Sequence, residues 1–472
     1  MQKQLLEDVI ISNIGYVPTD NQKSVVGKIS DFLLQKDPYS LFILNGSAGT
    51  GKTTLINAIV KTLKNTHISY VLLAPTGRAA KVMSNYTGET AFTLHKFLYY
   101  YNYEESGDWK SQLKNNKSEN AIFMVDEASL LSYNASAFGD YQQVLPDLIN
   151  FVFSKPNNKL IFIGDTCQLP PIDSTISPAM DANAMESLFS LNVSNSTLSQ
   201  VVRQSEDSAI LSLAEFVRAK IETENADLPY IMIEENAADV TVVNGYEFLD
   251  NLESAYSRFG KNDVVLVTMS NKRANLFNKT IRERVFYQDF EINAGDMIMV
   301  VKNNYFWLKD IEQGGFIANG DIGEVLSIRN FEEIGEFKFA DARIKLIDYE
   351  QPLTVEVKVL LNALWSEQAG LGSDKSFQLY NMVAQKYAHI ASKAKRNESI
   401  RNDEYYNALH IKFSYSLTCH KTQGGQWKAV FVENPFYNES MQTVENLKWL
   451  YTAITRATDK LYLVNFDKQF IK

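Results

Sequence analysis

Cysteine is nearly absent: the 472 residues contain two, Cys167 and Cys419. That is too few for a disulfide framework or a zinc ribbon, and a chain this long can bury a sizeable core without such staples. The five histidines, His67, His95, His389, His410 and His420, show no metal-ligand spacing. No apolar run approaches the roughly 18 residues of a membrane span. Glu7 and Asp8 interrupt the apolar start, so no signal peptide is expected. An excess of positive charge is also missing, since 46 Lys and Arg stand against 56 Asp and Glu for a net −10. Binding by gross charge is therefore disfavoured, and any nucleic-acid site has to be a local basic channel on an acidic body. What is present, 45% hydrophobic and 22% charged residues, excludes a collagenous or wholly disordered chain. The expectation is a soluble cytoplasmic protein of about three domains, without membrane contact.

Short apolar runs recur at Leu41–Leu44, Tyr70–Ala74, Ala121–Val125 and Leu160–Ile163, each followed by chemically special residues. Strands buried on both faces of a parallel sheet read this way, with functional loops at their carboxyl ends. Helical periodicity fills the intervals, as in TTLINAIVKTLKN from Thr53, which makes the architecture α/β. A second set at Val264–Thr268, Ala429–Glu433 and Leu461–Val464 implies another α/β unit. Between about 291 and 360, short strands punctuated by glycine predict a small antiparallel barrel or sheet. From 361 to about 409 the pattern turns helical, with Phe377, Tyr380, Ala384, Tyr387 and Ala391 near spacings of three and four.

The strongest motif is Gly46-Ser47-Ala48-Gly49-Thr50-Gly51-Lys52-Thr53, a complete phosphate loop between an apolar strand and a helical pattern. Its glycines let backbone N–H groups wrap phosphate oxygens at the positive end of a helix. Lys52 is expected to reach the β- and γ-phosphates of ATP, and the Thr53 hydroxyl to complete the shell of Mg²⁺. Asp126 and Glu127 close a later strand; Asp126 suits Mg²⁺ through water, and Glu127 suits the water attacking the γ-phosphate. A pure nucleotide switch needs no such base, so the pair implies hydrolysis.

Gly164-Asp165-Thr166-Cys167-Gln168-Leu169-Pro170-Pro171, with DEAS before it, resembles motifs II and III of superfamily 1 helicases. The resemblance continues through APTGRAA from Ala74, Thr93-Leu94-His95, LSQVVRQ from Leu198, TCHKTQG from Thr418 and YTAITRA from Tyr451. HKTQG, YTAITRA and NGDIG from Asn319 are closest to the RecD-like and Dda-like 1B branch, whose members move 5′→3′. That likeness implies two RecA-like P-loop domains with parallel sheets. A small pin insertion is implied in the first, and an SH3-like β-barrel plus helical insertion in the second. The expected boundaries are 1–195 for the first domain with the pin at about 97–120, 196–290 and 410–472 for the second, and 291–409 for the insertion.

By the same likeness Lys52, Glu127, Gln168, Arg203 and Arg456 are catalytic, with Gln168 sensing the γ-phosphate and the two arginines acting as fingers on it. Nucleotide is expected at Gln22, which reads adenine, at Gly46 to Thr54 (Gly46, Ser47, Ala48, Gly49, Thr50, Gly51, Lys52, Thr53, Thr54), at Asp126 and at Gly424. Metal is assigned to Thr53 and Asp126. The single-strand track comprises Pro75, Thr76, Thr93, His95, Thr268, Asn271, Thr418 and His420, unless these only cap turns, and the histidines could equally be buried ones. Tyr103 and Trp109, near a Gly107-Asp108 turn, are pin candidates, unless the segment is an ordinary surface hairpin. Tyr305, Phe306 and Trp307 read as barrel core rather than base-stacking residues, and Lys393, Lys395, Arg396 and Arg401 as a solvated face rather than phosphate contacts. The implied activity is an ATP-dependent DNA helicase, a monomer on single-stranded and forked DNA that works beside replication or repair proteins. The alternatives are a single-strand-stimulated ATPase that remodels RNA or nucleoprotein, and a non-motor DNA-binding subunit of a repair complex.

Overall fold

The structure, a computed structural model, describes residues 2–472 except 104–108, 134–142, 172–173, 201–207, 234–236, 309–315, 348, 350–352, 369 and 437–438. Strand β1 (Ser40–Gly46) carries the first apolar run, and its Leu41, Phe42 and Leu44 are fully buried. It joins β2 (Tyr70–Ala74), β3 (Ala91–Thr93), β6 (Ile122–Val125), β7 (Lys159–Gly164) and β8 (Asn192–Leu198) in a six-stranded parallel sheet, ordered β3-β2-β6-β7-β1-β8. Apolar clusters cover both of its faces, which is why its strands read as continuous hydrophobic runs. Between β3 and β6, β4 (Tyr99–Tyr103) and β5 (Trp109–Leu113) form a separate antiparallel hairpin in which Tyr103 pairs with Trp109.

The second parallel sheet has five strands: β9 (Val240–Val243), β10 (Val264–Thr268), β16 (Ser416–Thr418), β17 (Trp427–Glu433) and β18 (Ala457–Val464). Their order is β16-β10-β17-β18-β9. A closed barrel interrupts this unit, built from β11 (Met297–Val300), β12 (Ile322–Ile334), β13 (Phe337–Leu346), β14 (Leu353–Leu360) and β15 (Leu409–Phe413). The expected fold class is the observed one: two RecA-like sheets, a hairpin in the first unit, and a barrel with helices in the second. The closing strand β15 runs past residue 409, where the sequence reading ends the insertion. It pairs parallel with β14 because the helices Ser373–Lys386 and Lys393–Arg401 carry the chain back between the two strands.

That helical extension packs Leu371 and Leu379 against Phe337, Phe339 and Leu360 of the barrel. Of the residues spaced at three and four, Phe377 and Tyr380 are exposed, while Ala384 and Tyr387 are half-buried and the Tyr387 hydroxyl donates to Asp403 Oδ2 at 2.9 Å. Trp307 packs against the core, and its Nε1 donates to the Asn407 carbonyl at 2.8 Å. Lys393 and Lys395 are exposed. No helix among the described residues is long and apolar enough to cross a membrane.

Candidate active site

The chemistry gathers at the carboxyl ends of β1, β6 and β7. Gly46 ends β1, and the helix Lys52–Asn65 starts at Gly51, whose φ of 85° is open to glycine and costly for other residues. A Cβ on Gly46 would lie 2.9 Å from Lys52 Cγ, so the loop closes only around hydrogen. The Thr50 hydroxyl donates to the Ser47 carbonyl at 2.8 Å, and Lys52 Nζ donates to the carbonyls of Gly46 and Ser47. Thr53 is exposed on the first turn of the helix, where its hydroxyl is open to a ligand.

Gln22 is buried behind this loop as the third residue of a capping box with Thr19. Its Nε2 donates to Tyr16 Oη at 3.0 Å and to the Thr50 carbonyl at 3.2 Å. In this arrangement both amide hydrogens are taken, one by the loop and one by Tyr16, so reading adenine through them requires a rearrangement.

Asp126 follows β6 with both carboxylate oxygens held: Tyr86 Oη donates to Oδ2 and the Glu127 N–H donates to Oδ1, each at 2.9 Å. Burial raises its carboxyl, opposed by these hydrogen bonds and by Lys52. Glu127 sits at φ 52°, a left-handed value that a non-glycine residue holds only when its surroundings enforce it. Burial raises the Glu127 carboxyl as well, the Arg456 charge works against that rise, and Asp126 adds to it. A carboxylate with a raised pKa is a better proton acceptor at neutral pH.

The second unit reaches across to this cluster. Arg456 follows the helix Val444–Ile454, and its Nη1 lies 3.9 Å from Glu127 Oε1. Its Nε donates to the Thr452 carbonyl at 3.0 Å, which fixes the guanidinium in a 5% exposed position. Tyr451 Oη donates to Asp165 Oδ2 at 2.7 Å and accepts from the Ala48 N–H at 3.0 Å, joining the phosphate loop to the GDTCQ loop. Leu169 N–H donates to Thr452 Oγ1, and Gln423 Nε2 to the Leu169 carbonyl, both at 2.8 Å. Gln168 is thus stitched in on its C-terminal side while its own buried Oε1 has no hydrogen-bond partner, an acceptor left for a ligand group. From the helix Ala209–Glu222, Arg218 Nη1 donates to Ser47 Oγ. Arg203 lies outside the described residues.

Sequence reasoning missed Arg218 and Tyr86, which belong to no quoted motif, and gave Tyr451 no role of its own. Gly424, expected at the nucleotide, packs against the first unit's Ala79 and Thr76, where an added Cβ would approach to 2.8 and 3.1 Å. Its φ of 73° and the close backbone approach explain the glycine, and the approach puts it beside Thr76, one of the residues expected on the strand track.

The residues expected on the strand track stand at the carboxyl ends of the β3 and β2 edge of the first sheet and the β16 and β10 edge of the second. Each strand leads into a helix N-terminus, a natural partner for phosphate. Thr76, after Pro75, caps the helix Gly77–Thr87, Thr93 caps Leu94–Leu98, and Thr418 precedes Cys419–Thr422 with its hydroxyl making no cap bond. His95 is half-buried, His420 exposed, and Asn271 opens the helix Asn271–Thr280. Thr268, expected on the same track, is fully buried and donates to the Ser270 carbonyl, while the following Ser270 is exposed and Asn271 half-buried.

Among the described residues, no group of three His, Cys, Asp or Glu side chains is placed to hold a metal. One carboxylate, Asp126, and one exposed hydroxyl, Thr53, fit an ion that takes its remaining ligands from water and nucleotide phosphates, as Mg²⁺ does.

An AAA domain family matches residues 20–228, and a UvrD-like helicase C-terminal domain family matches residues 413–464. The chain is 29% identical over 201 residues to the ATP-dependent RecD2 DNA helicase of Deinococcus radiodurans, covering 42% of this chain and 24% of that one. It is 22% identical to the ATP-dependent DNA helicase dda of Enterobacteria phage T4, over 94% of this chain and 99% of that one. The solved structure of the Pif1 helicase from Bacteroides in complex with ADP-AlF3 and ssDNA superposes with a TM-score of 0.48 and 15% identity, covering 97% of this chain and 95% of that one.

Proposed function

We propose that the chain is a superfamily 1B helicase of the RecD and Dda type: an ATP-hydrolysing DNA helicase that walks 5′→3′ on one strand, as a monomer, and opens forked duplex ahead of it. The observation that carries the proposal is the second unit's Arg456 beside Glu127 of the first, at the mouth of the phosphate loop. ATP bound there lies between the two units, so forming and losing the γ-phosphate contact moves one against the other.

In the proposed mechanism, the loop N–H groups and Lys52 hold the β- and γ-phosphates, and Lys52 gives up its two backbone carbonyls to do so. Asp126 and Thr53 would hold Mg²⁺, which would supply neutralising charge at the phosphate oxygens. Glu127 accepts the proton of the attacking water. Arg456 stabilises the charge that develops on the transferred phosphoryl group, an electrostatic role suited to a fixed guanidinium. Gln168 and Tyr451 sit where the phosphate loop, the GDTCQ loop and the second unit meet, and they support a role in carrying that event to the strand track.

Unwinding of forked DNA with either a 5′ or a 3′ single-stranded tail tests the reading, beside matched RNA forks. Forks with a 5′ tail should be opened; efficient opening from 3′ tails alone overturns the direction, and opening of RNA only overturns the substrate. Binding to single strands should also weaken steeply with salt despite the net −10, because a local channel releases counterions whatever the total charge. A binding constant unchanged between low and moderate salt would count against a phosphate-tracking groove.

A further inference from the structure

The helix Gly77–Thr87 touches the second unit, the barrel and the metal carboxylate at once. Near its start, Arg78 Nη2 donates to the Gln426 carbonyl at 2.7 Å and its guanidinium lies 3.8 Å from the Trp427 ring centroid. Gly77 faces Asp321 of the barrel, where an added Cβ would lie 2.5 Å from the carboxylate, and Lys81 Nζ donates to the Ile347 carbonyl. Thr76, at the strand track, caps the same end. About 15 Å further on, at 1.5 Å per residue, Tyr86 Oη donates to Asp126 Oδ2 at 2.9 Å. Its ring packs against the apolar cluster beneath the sheet, so the hydroxyl goes where the helix goes.

We propose that Tyr86 is a positioning residue that ties Asp126 to the strand-facing helix, so that nucleic acid bound at Thr76 tunes the binding of Mg²⁺–nucleotide. This rests on the helicase reading above. The phenol suits the task because it is a neutral donor: it orients the carboxylate without cancelling the charge that the cation needs. With the Glu127 N–H on the other oxygen, both halves of the carboxylate are pinned, one by the local backbone and one by the helix. Only the second can respond to events at the track. A hydrogen bond at 2.9 Å is sensitive to small displacements, since its strength falls quickly with length and angle. By reciprocity, a strand that strengthens Mg²⁺–nucleotide binding is itself bound more tightly when Mg²⁺–nucleotide is present.

The test is a Mg²⁺ titration of a fluorescent ADP analogue bound to the full chain, with and without oligo-dT, comparing the wild type with Tyr86→Phe. Phenylalanine keeps the ring and removes only the hydroxyl. Loss of such an outer partner typically weakens metal binding by about 10–100-fold, so the Mg²⁺ midpoint should rise at least about tenfold. The downward shift that oligo-dT causes in the wild type should disappear, with thermal unfolding of the nucleotide-free protein unchanged. An unchanged midpoint overturns the proposal. A raised midpoint with the oligo-dT shift intact also overturns it, leaving Tyr86 as a local brace, and so does loss of the folded state. Failure of the wild type to bind the analogue in a Mg²⁺-dependent way would instead sink the helicase reading.

Discussion

Glu127→Gln is expected to bind Mg²⁺–ATP and DNA while hydrolysing ATP at least about 100-fold more slowly than the wild type, the range of a lost positioned base. The substitution is nearly isosteric, so the left-handed turn at Glu127 and the Asp126 contact to its N–H can persist. What is lost is a carboxylate whose proton affinity burial has raised, in contact with the Arg456 charge. The sign of the pH dependence follows. Hydrolysis needs the ionised form, so the wild-type rate should fall on acidification at a higher pH than for an ordinary glutamate. That acid limb should be absent from the residual rate of the variant. Lys52→Ala should behave differently, weakening nucleotide binding itself because Lys52 contacts phosphate in the ground state. Single-turnover hydrolysis beside equilibrium binding separates the two, and wild-type hydrolysis by Glu127→Gln would remove Glu127 from the reaction.

Residues that chain chemistry specifies locally were legible from the sequence. A strand covered on both faces has to be apolar throughout, so Leu41–Leu44 and Val264–Thr268 identified themselves, and a phosphate loop needs its glycines where left-handed φ values occur. Residues whose role is set by what folding brings opposite them were not legible. Tyr86, Tyr451 and Arg218 reach Asp126, Asp165 and Ser47 only because two sheets and a helix align them. The motif around Gly424 gave the residue type and suggested nucleotide, but not that the residue packs against Thr76 and Ala79 of the first unit. Thr268 shows the converse: the end of a strand is a surface position in most α/β units, but here the chain turns so that Ser270 takes that place. In the helical extension, periodicity found the helix but did not say which residues meet the barrel: Leu371 and Leu379 pack with Phe337 and Phe339, while Phe377 stays exposed.

Removing the tip of the β4–β5 hairpin should leave DNA-stimulated ATPase and single-strand translocation nearly intact while unwinding of forked duplex drops severely. Opening each base-pair step costs about 1.4 kcal/mol of stacking on average, and an aromatic edge at the fork can offset part of that at about 1–3 kcal/mol per stacked base. The hairpin lies in the chain between Thr93 and His95 on the track side and Asp126 on the nucleotide side. A free two-stranded ribbon is marginal in water, so its rigidity has to come from its base. That base is well tied: Tyr99 Oη donates to Asp147 Oδ2 at 2.6 Å, the Lys114 N–H to the Leu98 carbonyl at 2.7 Å, and Leu98 is fully buried. Replacing Tyr103 and Trp109, which pair across the ribbon, by alanine therefore tests the edge with the anchor untouched. Joining residue 101 to residue 111 by a tight turn tests the same edge by shortening the ribbon. Neither change touches the phosphate loop, Asp126 or Arg456, so a motor that still walks but no longer parts strands would assign the wedge to this hairpin. Normal unwinding by the shortened chain would make the hairpin a surface feature and send the search for the wedge to the barrel, which packs against the helix Gly77–Thr87.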